Sequence, residues 1–212
     1  MTDFYDRVDR AAPAHGVRKV EVRGDCCICV ADDLPYPGRT AGSPGPVTRA
    51  LAFAADLHAD LAAAAAPGAV QPIAVRMGVA SGPVALLEDD GAREDGGPGA
   101  GGGGERGGEW CFRCVQGDTV NVAARMEALG RPGVAVVHKS AAERWAGEGG
   151  GPGPRTVCVE CKGRGVQRAA VYDLARRAWQ AEADAAAALP VAELRSLADF
   201  RLSGALRRTL SL

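Results

Sequence analysis

The chain has little of several features that mark common protein classes. Its 212 residues carry 25 basic and 26 acidic side chains, for a formal net charge of −1, which leaves no basic footprint for nucleic acid. The longest apolar runs, such as residues 61–66, are too short to cross a bilayer, and the N-terminus does not resemble a signal peptide. We therefore expect a cytoplasmic protein without nucleic-acid partners, or the cytosolic part of a larger membrane-attached protein.

Aromatic residues are also scarce, at 5% of the chain, whereas glycine is abundant, at 29 residues. Much of this glycine lies in residues 88–109, which lack the Lys-Ser/Thr ending of a phosphate-binding P-loop. We predict a flexible surface insertion there. Residues 176–212 have a helical composition with alternating charge. The sequence therefore predicts one domain over residues 1–175, followed by a helical or disordered tail over residues 176–212.

Seven cysteines are expected to be reduced in an intracellular protein. Two pairs have C-x-x-C spacing, at residues 111–114 and 158–161, so a zinc-binding module is one alternative. The pairs are much farther apart than those of compact zinc ribbons. Both also lie in predicted strands, where positions three apart face opposite sides of a sheet. This geometry opposes shared metal ligation.

Apolar periodicity predicts an alternation of strands and helices. Helical spacing covers residues 4–12 and 47–61, and a helix also follows residue 117. A Gly-Asp turn at residues 24 and 25 joins two predicted strands into a hairpin, with Asp25 at its tip. Further strands are predicted at residues 73–79, 110–115, 133–137, 156–161 and 169–174. Hairpins combined with helices indicate an α+β sheet domain.

The segment 116–127 (QGDTVNVAARME) combines a glycine turn with helical spacing. Asn121 and Arg125 stand four residues apart, so both side chains leave one helix face. A carboxamide and a guanidinium on one face suit an anionic, hydrogen-bonding ligand such as a phosphate. The simpler interpretation is an amphipathic helix capped by Asp118 or Thr119, with both side chains in solvent.

Four segments, in order along the chain, resemble the catalytic domain of class III nucleotide cyclases. They are residues 15–25 (HGVRKVEVRGD), 76–84 (RMGVASGPV), 114–127 (CVQGDTVNVAARME) and 159–165 (VECKGRG). The last segment departs from the family's Val-Lys-Gly-Lys-Gly pattern at Glu160 and Cys161. The resemblance implies a ferredoxin-like α+β fold, with an antiparallel sheet and packed helices. It also implies a homodimer, or a heterodimer with another cyclase domain, with each site built across the interface.

The resemblance implies a role for each matching residue. In the family, two metal ions, Mg²⁺ or Mn²⁺, promote attack of the ribose 3′-hydroxyl on the α-phosphate. Asp25 matches the second of two metal-binding aspartates, and Lys162 matches a lysine that contacts the terminal phosphates. Asn121 matches the residue that orients the ribose, and Arg125 matches the one that stabilises the transition state. Positioning and charge neutralisation are what phosphoryl transfer requires.

Glu21 and Cys114 match the two purine-reading positions of the family. A carboxylate can accept from the two adjacent donors on the guanine edge, while the thiol can donate to the carbonyl. Adenylyl cyclases resemble this layout but carry Lys and Asp there, because adenine has the opposite donor pattern. A carboxylate facing adenine's ring nitrogen would cost roughly 1–3 kcal/mol. The resemblance therefore implies GTP as the substrate, with adenylate cyclase activity as a less favoured alternative.

No segment resembles the family's first strand, which carries the other metal-binding aspartate. We therefore expect a fold with the first strand missing and a two-metal site with one aspartate ligand missing. Three interpretations follow: an incomplete sequence of a competent guanylyl cyclase, a short chain that completes a full cyclase subunit, or a non-catalytic regulatory module. Residues 85–88, which replace the small residues usual after Val84, favour some divergence.

Overall fold

The computed structural model describes residues 2–34, 40, 42–64, 73–88, 112–189 and 194–195. The helices in these ranges are α1 (Thr2–Ala14), α2 (Pro46–Ala63), α3 (Asp118–Leu129), α4 (Lys139–Trp145) and α5 (Glu182–Ala188). The strands are β1 (Arg18–Arg23), β2 (Cys26–Val30), β3 (Met77–Val79), β4 (Ala85–Glu88), β5 (Phe112–Gln116), β6 (Val134–His138), β7 (Val157–Cys161), β8 (Gly165–Asp173), β9 (Ala178–Trp179) and β10 (Leu194–Arg195). A π-helical turn, Ala146–Gly150, follows α4.

The largest sheet has the strand order β10-β7-β8-β6-β3, and β9 pairs with β8. Its neighbours are antiparallel except for β3 and β6, which are parallel. Helix α3 lies in the connection from β3 to β6, and such a crossover is what a parallel pair requires. The predicted α+β fold is confirmed, although the sheet is mixed rather than wholly antiparallel.

Strand β6 is buried on both faces, and this explains its continuous run of valine and alanine. Val134 and Val136 pack with the buried face of α3, whereas Ala135 and Val137 pack with α2 and α4. Alternate residues of β6 therefore belong to two hydrophobic cores, one on each face of the sheet. Helix α3 consequently rests on one face of the largest sheet while α2 and α4 cover the other.

The hairpin β1–β2 and the ribbon β4–β5 form separate two-stranded sheets among the described residues. Arg49 of α2, only 4% exposed, holds the base of the hairpin. Its guanidinium donates to the carbonyl oxygens of Gly16 and Asp32, which lie just before β1 and just after β2. A buried guanidinium requires such acceptors. The hairpin that carries Glu21 and Asp25 is thereby fixed against α2.

Two strand predictions need correction. Strand β3 covers Met77–Val79 and not residues 73–79, because only these residues pair with β6, and Ile73 is 41% exposed. Strand β4 was not predicted, and it pairs antiparallel with β5 from Ala85↔Gln116 onward. The partner strand lies beyond the glycine-rich segment, so local periodicity gave little sign of this pairing. The predicted insertion lies almost entirely outside the described residues.

The first part of the predicted tail packs on the largest sheet. Trp179 of β9 makes edge-to-face contacts with Tyr172 and Trp145, at ring-centroid distances of 5.1 and 5.2 Å. Ala185 and Leu189 are buried beside α3. The domain boundary after residue 175 remains a prediction, and residues 196–212 lie outside the described ranges. No helix in the described ranges is both long enough and apolar enough to cross a membrane.

Candidate nucleotide site

The hairpin strand β1 places Glu21 beside β5. The Glu21 side chain is 17% exposed, and its Oε2 accepts a hydrogen bond from the backbone N–H of Val115 at 3.4 Å. Cys114 is the residue that precedes Val115 on β5. The two predicted base-reading residues, far apart in the sequence, therefore come together at the contact between β1 and β5.

Arg23 belongs to the same cluster, and sequence reasoning did not identify it. Its Nε lies 2.5 Å from Glu21 Oε1, and its terminal nitrogen lies 3.0 Å from Oε2. The Arg23 hydrogen bond, followed by that from the Val115 amide, lowers the pKa of Glu21. The alternation of β1 was the available signal, because residues 21 and 23 share one side of a strand. The carboxylate is thus held in its ionised, accepting form.

Helix α3 begins differently from the predicted cap. Its N-cap is Gly117, whose φ of +144° is in the region that favours glycine, and no side chain caps the helix. Thr119 Oγ1 instead donates to the carbonyl of Pro83 at 2.9 Å. Asp118 forms an ion pair with Arg164. The first turn of α3 is therefore fixed to the β3–β4 connection and to the β7–β8 hairpin.

Helix α3 also lies directly over strand β3. A Cβ built on Gly78 would come within 2.1 Å of the Ala123 carbonyl oxygen and 2.2 Å of the Glu127 backbone nitrogen. Arg76 Nε forms an ion pair with Glu127 Oε1 at 2.8 Å. The Arg-x-Gly motif thus has a structural role in placing α3. Its glycine leaves room for the helix backbone, and its arginine forms an ion pair with the same helix.

Asn121 and Arg125 share the exposed face of α3. The opposite face buries Val122, Met126 and Leu129. Neither exposed side chain hydrogen-bonds to another described residue. This arrangement agrees with the predicted convergence of the two side chains, and it agrees equally with the simpler reading of an amphipathic helix. Their assignment to a ligand therefore stays a prediction.

Lys162 lies in the exposed turn between β7 and β8. Gly163 and Gly165 have φ values of +78° and +66°, conformations that glycine adopts readily. Arg164 of this turn makes the ion pair with Asp118 described above. The turn is thus joined to the N-terminus of α3, although no hydrogen bond between described residues joins Lys162 to Asn121 or Arg125.

Asp25 is exposed at the tip of the β1–β2 hairpin. The tip is fixed by Tyr5, whose hydroxyl donates to the Gly24 carbonyl at 2.7 Å. One free carboxylate suits Mg²⁺, which is commonly held by one or two carboxylates together with substrate phosphates. No group of three or more His, Cys, Asp or Glu residues that could hold a metal occurs within the described ranges. Asp25 therefore fits one ligand position, and a two-metal site needs further ligands.

The cysteines of the zinc alternative are placed only in part. Cys158 and Cys161 are buried on β7 at 1% and 3% exposure. Cys114 lies beside Glu21, and Cys111 is outside the described residues. The six described cysteines are free thiols.

No protein-family model matches the chain. A curated relative is the rat guanylate cyclase soluble subunit beta-2, which is 31% identical over 132 residues. The match covers 62% of this chain but only 16% of the rat protein. The chain therefore corresponds to a small part of that relative's length.

Solved structures of cyclase domains share the fold. The guanylate cyclase domain of RhGC from Catenaria anguillulae, solved in complex with GTP, has a TM-score of 0.53 at 24% identity and covers 79% of this chain and 78% of its own. The adenylyl cyclase CyaB from P. aeruginosa has a TM-score of 0.54 at 17% identity, covering 84% and 82%. A non-canonical dimeric guanylyl cyclase domain from Blastocladiella emersonii scores 0.52 at 22% identity, covering 79% and 78%. These structures show that the chain has the fold of cyclase catalytic domains, and the curated relative agrees with the resemblance stated from the motifs.

Proposed function

We propose that this chain, a class III nucleotide cyclase catalytic domain of the guanylyl type, contributes to the conversion of GTP into cyclic GMP and pyrophosphate in intracellular signalling. The observation that carries the proposal is the hydrogen bond from the Val115 amide to Glu21, which places Glu21 beside Cys114 near a helix that exposes Asn121 and Arg125. The rat relative is named as a guanylate cyclase subunit, and the Catenaria domain was solved with GTP. Both support this choice of substrate.

Base recognition rests on the ionised Glu21. Its carboxylate accepts from N1–H and the 2-amino group of guanine, while the Cys114 thiol donates to O6. Val115 N–H holds the carboxylate in position. The same carboxylate disfavours adenine, whose N1 is an acceptor. An acceptor facing an acceptor is costly in a partly buried site, and the Glu21 side chain is 17% exposed.

The reaction forms a bond between O3′ and the α-phosphorus and breaks the bond from that phosphorus to the bridging oxygen of pyrophosphate. The proton of the 3′-hydroxyl passes to solvent. In our assignment, Asn121 hydrogen-bonds the ribose, and Arg125 neutralises the charge that develops on the α-phosphate. Lys162 contacts the terminal phosphates, which leave as pyrophosphate. An exposed face and an exposed turn suit these roles, because the triphosphate approaches from solvent.

Bound Mg²⁺ or Mn²⁺ would supply Lewis-acid activation of the 3′-oxygen and charge neutralisation on the phosphates. Asp25 is the described residue that we assign as a ligand. It stands at the tip of the hairpin that also carries Glu21. Since Asp25 alone cannot complete a two-metal site within a symmetric dimer of this chain, we infer that another cyclase domain supplies both metal-binding aspartates.

The test uses the full chain with GTP and Mn²⁺ or Mg²⁺, alone and with a complete guanylyl cyclase subunit, measuring cyclic GMP by chromatography. Arg125→Ala should lower the rate by at least about 100-fold, because it removes a donor that acts on the transition state. Arg131→Ala is the matched control, since Arg131 is an exposed arginine in the loop after α3. Equal rates for wild type and Arg125→Ala would refute the site, and no cyclic GMP under either condition would refute the proposal.

A further inference from the structure

The Arg23 guanidinium lies against Glu21, one of the two residues to which the proposed function assigns the base. It forms two contacts with the Glu21 carboxylate, at 2.5 and 3.0 Å, and that carboxylate also accepts from the backbone amide of Val115, the residue next to Cys114. Because Glu21 and Cys114 define where the purine edge would lie, the guanidinium stands at that edge. Neither the motifs nor the comparisons assign it a role.

The exposure of the pair suggests that Arg23 is available to a ligand. The Arg23 side chain is 57% exposed, whereas that of Glu21 is 17% exposed. An ion pair with a partner as exposed as Arg23 contributes little to stability. Arg23 therefore adds little to the stability of the fold, and yet it contacts the Glu21 carboxylate that we assign to the base.

We propose that Arg23 is a third base-reading residue, which donates to O6 and N7 of the guanine whose N1–H and 2-amino group bind Glu21. This inference rests on the proposed function. The arginine fork matches the O6 and N7 acceptors of guanine and is the commonest specific contact to that base in nucleic-acid recognition. The O6 carbonyl has two lone pairs, so it can accept from Arg23 as well as from the Cys114 thiol, and the charged guanidinium is the stronger donor of the two.

Glu21 can bind Arg23 and guanine at the same time. An ionised carboxylate has about four lone-pair positions, so Arg23 can keep one contact with Glu21 while guanine takes the others. Adenine carries an amino donor where guanine carries O6. With ATP bound, the N–H donors of Arg23 would therefore face the 6-amino donor of adenine. Arg23 would thus disfavour ATP as well as favour GTP.

The experiment compares GTP with 7-deaza-GTP, in which a C–H replaces N7, by measuring dissociation constants for the full chain with Mn²⁺. Wild type should bind GTP several-fold more tightly than 7-deaza-GTP. Arg23→Ala should weaken GTP binding by about tenfold and make the two nucleotides nearly equal. Arg23→Lys keeps the charge and loses the fork, so it should show the same convergence. Arg131→Ala should leave both constants unchanged, and thermal unfolding checks that each variant is folded.

The outcomes separate the inference from the function on which it rests. If Arg23 only blocks Glu21, Arg23→Ala will bind both nucleotides more tightly, and the inference is overturned. Unchanged GTP affinity, or a preference for GTP over 7-deaza-GTP that persists in Arg23→Ala, overturns it as well. A wild-type chain that binds no guanine nucleotide overturns the proposed function itself, and the inference with it.

Discussion

At the scale of single residues, substrate choice depends on the donors and acceptors that Glu21 and Cys114 present. We predict that Glu21→Lys combined with Cys114→Asp shifts the preference from GTP toward ATP. The change reverses the hydrogen-bonding pattern, and a mismatch of roughly 1–3 kcal/mol corresponds to about 5-fold to 160-fold in relative kcat/KM. The measurement is the ratio of kcat/KM for the two nucleotides. An unchanged ratio would contradict the assignment of these residues to the base.

The sequence predicted Glu21 and Cys114 because both lie in segments that resemble the family, but it did not identify Arg23. Strand alternation places residues 21 and 23 on one side of β1. Whether a long arginine side chain turns to its neighbour or to solvent depends on β5, which is remote in sequence. The ion pair with Glu21, and the position of Glu21 beside β5, thus became visible only with β1 and β5 in contact.

At the scale of elements, the position of α3 depends on Gly78 of β3. We predict that Gly78→Ala destabilises the fold by about 1–3 kcal/mol, the usual cost of overpacking. The new methyl group would meet backbone atoms of α3 at 2.1 and 2.2 Å, and backbone cannot move aside as a flexible side chain can. Helix α3 would have to move away from β3, and this movement would displace Asn121 and Arg125. Cyclase activity should therefore fall further than the loss of stability alone explains.

Gly147→Ala is the matched control for this change. An added Cβ at Gly147 meets nothing within 4 Å, so we expect its free energy of unfolding to change by less than about 0.5 kcal/mol. Denaturant unfolding of both variants gives the comparison. Equal stability of Gly78→Ala and Gly147→Ala would show that α3 and β3 are not in the close contact described.

Element prediction succeeded where a pattern is local and failed where it is not. The glycine-led start of α3 and the tip of the β1–β2 hairpin follow from turn chemistry within a few residues. The capping prediction was wrong because Asp118 and Thr119 find distant partners, Arg164 and the Pro83 carbonyl. Which partner a side chain binds at the start of a helix depends on acceptors and charged groups that the tertiary fold brings near it.

At the scale of the whole molecule, the α+β class was predictable, but the packing of the predicted tail was not. Its alanine and charged residues gave no sign that Ala185 and Leu189 would be buried. Arg177, just before β9, forms an ion pair with Asp56 of α2 and thereby lowers the pKa of that carboxyl. These contacts link residues far apart in the sequence. Periodicity cannot report them, because it describes one element at a time.

A site divided between two chains should allow this chain to complement a defective cyclase domain. Our assignment has this chain contribute Arg125 and a partner cyclase domain supply the metal-binding aspartates. A complete guanylyl cyclase domain whose own equivalent arginine is changed to alanine should therefore be nearly inactive alone. Adding this chain should restore cyclic GMP synthesis by at least about 100-fold, rising with its concentration and then saturating as mixed dimers form.

The matched comparison adds the Arg125→Ala chain to the same arginine-deficient domain. This mixture should stay inactive, because neither protomer then supplies a guanidinium to the transition state, whereas Arg131→Ala should restore activity as wild type does. Sedimentation of each mixture verifies that the mixed dimers form. Restoration by the Arg125→Ala chain would show that the chain acts on its partner without contributing to the reaction, and would favour the regulatory interpretation. Mixed dimers that remain inactive with the wild-type chain would contradict the shared site.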